Sequence, residues 1–287
     1  MITSTFLFAL MNVMVKMLEG IPSHEIVLFR SVITLIITFY LMRRSNIAPL
    51  GKSHHLVMVG RGLAGSVALL IFFYTIKHLP LATAVTVAYL SPIFTIIFAS
   101  LLLREHVNWK QWLFFTFSFL GIIFINGIEL NDDTTIVLLG VLGASFSGLA
   151  YNALRKTAGF VDPLVVVFYL PLITIPIITP FCVQHWVTPH GWEWLILLGV
   201  GVVTQFAQLN MTKAYQMERA GAIANWAYLG VVFALIFGYF LFDERYDAIA
   251  IAGMLIVVAG IILNFLYVNR VTSAKRFKAY FRGFPGL

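Results

Sequence analysis

The sequence predicts an all-α membrane protein: ten transmembrane helices in two inverted five-helix repeats. Three observations carry that expectation. Apolar runs long enough to cross a bilayer recur along the chain, lysine and arginine favour alternate connections, and the two halves repeat one another.

Of the 287 residues, 60% are hydrophobic and 11% charged. A soluble domain carries about 25% charged residues, so this chain lacks the polar surface to coat a globule. A secretory signal is a single short apolar stretch and does not account for runs that recur to residue 268. Barrel strands alternate apolar and polar residues over about ten positions. Here the runs are continuous for roughly twenty, the length a helix needs to cross about 30 Å of hydrocarbon. The single cysteine, Cys182, lies in an apolar run and reads as packing, since alone it builds neither a disulfide nor a metal site.

The spans fall at 2–18, 25–42, 55–77, 81–103, 109–128, 136–154, 162–184, 191–213, 219–242 and 246–268. The first is short, which points to tilt, to local thinning of the bilayer or to a few residues missing before it. With the N-terminus inside, the inner connections and tail hold most of the basic residues, Arg43, Arg44, Arg155, Lys156 and Arg270 among them. The outer ends hold only Lys16, Arg30, Lys77 and Arg245. That asymmetry places both termini in the cytoplasm. The net charge of +7 therefore lies between spans, and no basic domain exists to hold nucleic acid.

A shift of 139 lays the sequence on itself without gaps. Ala88-Tyr89-Leu90 falls on Ala227-Tyr228-Leu229, Phe94 on Phe233, Glu105 on Glu244 and Gly121-Ile122-Ile123 on Gly260-Ile261-Ile262. A shift of 140 puts Asn12 and Lys16 on Asn152 and Lys156. The repeat holds five spans. Because five is odd, equivalent helices cross in opposite directions, the architecture of secondary transporters. The chain thus divides into repeats at 1–130 and 131–269 and a basic cytoplasmic tail at 270–287, whose aromatic residues suit the headgroup layer as well as solvent.

These features resemble the drug/metabolite transporter (DMT) superfamily, specifically its ten-helix EamA type. The resemblance rests on Arg61-Gly62, on Phe72-Phe73-Tyr74 with Leu79-Pro80-Leu81-Ala82, on Leu90-Ser91-Pro92, on Arg104-Glu105 and on Arg30 after Phe29. It covers nearly the whole chain, although Gly230-Val231 replaces the Ser-Pro pair in the second half. It implies a multi-pass carrier of a small metabolite in a bacterial inner membrane. Direction of transport, a coupling proton or counter-substrate, and the choice between monomer and homodimer stay open. So does the reading as a channel-like facilitator. No cofactor is expected.

Candidate binding residues are the polar groups inside spans. An ionisable group at a helix centre costs roughly 2.5–3.5 kcal/mol on insertion scales. Arg30 and Arg61 either face a central cavity and meet an anionic group, or reach a headgroup or a carbonyl. The neutral candidates are Asn12 and Asn152 at matching places, Gln205 and Gln208 a turn apart, Asn225 and Trp226, and the repeat-matched Tyr89 and Tyr228. Each either binds solute or joins helix to helix. Lys77 and Lys213 at helix ends read as snorkelling side chains. Pro92 predicts a kink in span four, and Pro171, Pro176 and Pro180 a bend in span seven. The small residues from Gly140 to Ala150 predict close helix approach.

Enzyme motifs fail by one residue each. His24-Glu25 lacks a second histidine because position 28 is Leu. Gly143-Ala144-Ser145 lacks the closing glycine of a nucleophile elbow because position 147 is Ser. No phosphate-binding glycine loop is present, so energy comes from a gradient rather than from ATP bound by this chain.

Overall fold

The computed structural model describes residues 1–48, 54–103, 108–126, 132–157, 159–217 and 229–282. These form α1 (Ile2–Met17), α2 (Ser23–Arg44), α3 (His55–His78), α4 (Leu81–Ala88), α5 (Ser91–Leu103), α6 (Trp109–Asn126), α7 (Asp132–Thr157), α8 (Pro163–Gln184), α9 (Trp192–Met217), α10 (Leu229–Phe242) and α11 (Ala248–Arg282). Six segments are long and apolar enough to cross a membrane, and four shorter apolar helices bring the total to ten. One of the six, Leu81–Leu101, joins α4 and α5 into a single crossing.

That crossing breaks where the sequence predicts a kink. Pro92 has no N–H to donate to the Ala88 carbonyl, and its ring disfavours helix just before it. The chain makes a turn at Tyr89 and Leu90, with the Leu90 amide donating to the Val87 carbonyl at 3.1 Å. In contrast, α8 stays one continuous helix through Pro171, Pro176 and Pro180. It starts on an N-cap, with the Asp162 carboxylate accepting from the Leu164 amide at 2.8 Å and Pro163 in the first turn. The segment expected as a separate tail after residue 269 continues α11 as helix to Arg282.

Helix contacts follow the inverted repeat. α1 packs on α9, and its counterpart α7 packs on α3. α2 packs on α9 as α8 packs on α3, and α10 meets α1 as α5 meets α7. The pairs α2–α8 and α6–α11 each join a helix to its own repeat counterpart. The two halves are therefore interleaved, with each contributing a wall to the centre. Close approach uses small residues, as lipid gives helices no hydrophobic reason to associate. At Gly148 of α7 an added Cβ would stand 2.7 Å from Phe94 Cβ and 2.8 Å from the Thr95 amide nitrogen of α5. Large apolar side chains such as Ile36, Leu138, Phe240 and Leu255 point outward, where hydrocarbon replaces water.

Candidate functional site

A cavity of about 210 Å³ lies between the halves. Its walls come from α1, α2, α3, α4, the α4–α5 turn, the start of α5, α7, α8 and α9. Of the binding residues expected from sequence, Asn12, Arg30, Arg61, Tyr89 and Gln208 line it.

The two arginines set its character. Both are 4% exposed. Arg61 donates from Nη1 to the Val166 carbonyl of α8 at 2.8 Å, which fixes it on the cavity wall. Arg30 stands over the Phe73 ring, 5.8 Å from its centroid, close enough to Arg61 for the two charges to repel. No carboxylate pairs with either one among the described residues. Arg30 Nε, Ser31 Oγ and Thr204 Oγ1 are buried without partners among the described residues, and their residues surround a side hole of about 10 Å³, the size of one water molecule. Desolvated cations without counter-charge are costly. In a solute cavity that cost becomes attraction for an anion.

The neutral candidates separate. Asn12 Oδ1 is buried at the cavity wall without a partner among the described residues. Its repeat equivalent Asn152 lies off the cavity and donates from Nδ2 to the Thr95 carbonyl at 2.8 Å and the Gly148 carbonyl at 3.1 Å, joining α7 to α5. Gln205 also lies off the cavity, where its Oε1 accepts from Thr38 Oγ1 at 3.0 Å between α9 and α2. Asn225, Trp226 and Tyr228 lie outside the described residues, as does Glu105. Lys77 caps the chain after α1, donating to the carbonyls of Leu18, Glu19 and Ile21. Lys213 is exposed and apart from the cavity. Cys182 is buried in the apolar core.

Sequence reasoning passed over Tyr151, which lines the cavity, hydrogen-bonds Ser91 and interacts electrostatically with Arg61. A signal was available. Gly140, Gly143, Ala144, Ser147, Ala150 and Tyr151 share one helical face of α7, and all six line the cavity. Phe8 and Phe72 add apolar walls. The site thus offers two cations, amide and phenol groups, and aromatic surface.

An all-helical, ten-crossing fold with a charged cavity between inverted halves defines a class: a multi-pass membrane transporter of small molecules, not an enzyme. The chain belongs to the EamA-like transporter family, which matches residues 1–127 and 134–266. It is similar to the pseudopaline exporter CntI of Pseudomonas aeruginosa, 32% identical over 92% of this chain and 94% of that one. It is also similar to the S-adenosylmethionine uptake transporter of Rickettsia prowazekii, 25% identical over 88% of this chain and 86% of the relative. A crystal structure of another protein superposes with a TM-score of 0.65 at 17% identity, covering 93% of this chain and 98% of its own.

Proposed function

We propose that the chain is a secondary active carrier, working by alternating access, for a small metabolite that bears an anionic group. The observation that carries this reading is the pair of buried arginines, Arg30 and Arg61, in a central cavity without a pairing carboxylate among the described residues. Asn12, Gln208, Tyr89 and Tyr151 orient the solute's polar groups, and Phe8 and Phe72 cover its apolar part. Asn152 and Gln205 brace helices instead. Residues 1–130 and 131–269 act as the two moving repeats, and 270–287 rides at the cytoplasmic surface of a bacterial inner membrane. A proton or counter-substrate gradient drives the cycle. Relatives named for export and for uptake leave the direction to be measured.

The test is a thermal-shift screen of the purified protein at fixed ionic strength, with organic acids and nucleotides against amino acids and cationic metabolites. At a hundredfold excess over Kd a ligand stabilises by about 2.7 kcal/mol. Stabilisation by anions that Arg30→Gln or Arg61→Gln removes supports the reading. Stabilisation by cations alone overturns the anionic part. In vesicles, saturable exchange of the hit marks a carrier, and single-channel conductance overturns that reading.

A further inference from the structure

We propose that Lys16, Glu244 and Tyr246 form the gate that shuts the cavity at the membrane end away from Met1, by clamping the first turn of α4 to the α10–α11 turn of the other half. These residues lie outside the solute site and position the halves rather than touch the solute.

The contacts form one network. The Leu81 amide donates to both oxygens of the Glu244 carboxylate, at 3.0 and 2.8 Å. The Tyr246 hydroxyl donates to the same carboxylate, and the Ala82 amide donates to the Tyr246 oxygen at 3.4 Å. Lys16, at the end of α1, ion-pairs with Glu244, donates to the Leu79 carbonyl at 2.9 Å and lies over the Phe242 ring. Lys16–Glu244 is the one salt bridge among the described residues.

Each part answers a physical need. The first amides of a helix have no internal partner, and the N-cap of α4, Pro80, supplies no side-chain acceptor. Glu244 supplies it from the opposite repeat and places negative charge at the positive end of the α4 dipole. Lys16 compensates that charge. The turn is shaped for the purpose: Asp243 takes φ 50°, and at Gly238 a Cβ would collide with both the Tyr246 hydroxyl and Glu244 Oε2.

The network sits where a gate belongs. Along α1 the cavity lining runs from Met1 to Asn12 and stops one turn before Lys16. Along α4 it begins at Ala84, one turn after Leu81. The Lys16 and Glu244 side chains are 17% and 11% exposed. The network is largely buried yet reaches water, so hydration of the freed ammonium and carboxylate offsets part of the cost of parting them. Opening therefore requires the halves to part here.

The test uses the full-length chain in oriented vesicles. Cys182→Ala removes the native thiol, and Ser147→Cys on the cavity wall reports access to a membrane-impermeant maleimide. Lys16→Met and Glu244→Gln should each raise the labelling rate from the gate side by about tenfold, a shift in population between two states. Lys16→Arg, which keeps the pair, should label at the parent's rate. Should either variant fail to fold, Tyr246→Phe keeps the ion pair and should raise the rate by about threefold. Gate-side rates unchanged in all folded variants would mean a static brace and overturn the proposal, as would a parent labelled equally from both sides. Labelling reports access alone, so failure to find an anionic solute leaves this result standing.

Discussion

Arg61 of the first repeat hydrogen-bonds the carbonyl of Val166 in the second, with Nη1 at 2.8 Å. One side chain thus bonds across the seam between the halves, along which they move in the proposed cycle. Its removal takes away a cation of the cavity and a bond across the seam together. Arg61→Gln is expected to abolish stabilisation by anionic ligands and to destabilise the empty protein by about 1.5–3 kcal/mol for a lost bond from a charged group, read as a lower melting temperature. Thermal unfolding with and without ligand measures both.

Arg30 lacks such an anchor: its Nε has no partner among the described residues. Replacing an uncompensated buried charge by a neutral group relieves desolvation. Arg30→Gln should therefore raise the melting temperature of the empty protein while removing its response to anions, a trade between stability and function. A fall in stability would show that a counter-charge already pairs Arg30.

Asn12 and Asn152 occupy equivalent places in the repeats but have different surroundings. Asn152→Ala removes two bonds from Nδ2 and should cost about 1 kcal/mol of stability. Ligand affinity should stay unchanged. Asn12→Ala should do the reverse, weakening affinity about tenfold with little change in stability. Paired melting and binding titrations separate the two.

Gly148 lets α7 lie against the α5 backbone. Gly148→Val forces these helices apart, an overpacking of about 1–3 kcal/mol. Size-exclusion chromatography of the detergent-solubilised variant should show loss of the monodisperse species.

Tyr246 offers a pH test at the gate. Burial, and then its bond to the Glu244 carboxylate, push its phenol well above the ordinary tyrosine value. Stability from such a group is fully present below its unfolded value of about 10 and lost as pH rises through the raised one. Gate strength should stay constant across neutral pH and weaken only in strong alkali. In an absorbance titration, Tyr246→Phe should remove one of the late-ionising tyrosines.

Much of the architecture was legible in the sequence because few physical choices satisfy it. Backbone groups in hydrocarbon must bond internally, so each long apolar run becomes a helix. Pro92 announced the break between α4 and α5, since a missing N–H acts locally. The three prolines of α8 leave that helix unbroken, and it packs on α2 and α3.

The site was legible by residue type and less so by direction. Intramembrane charge is expensive enough to require a reason, and Arg30 and Arg61 reached the cavity together. Buried amides carry no such compulsion, because a neighbouring carbonyl satisfies them as well as a solute does. Hence Asn152 and Gln205 face helix partners whereas Asn12 and Gln208 face the cavity. Tyr151 was passed over because its face of α7 read as packing.

By itself the sequence determined the ten crossings, their inverted pairing and the two charges that hydrocarbon will not tolerate alone. These follow from solvation and from a repeat length, both written along one dimension. Only the tertiary structure decided which polar side chains share a cavity, and that Glu244 reaches across the halves to the first amide of α4. Those relations join residues 163 positions apart, and only the packing of intervening helices brings them together.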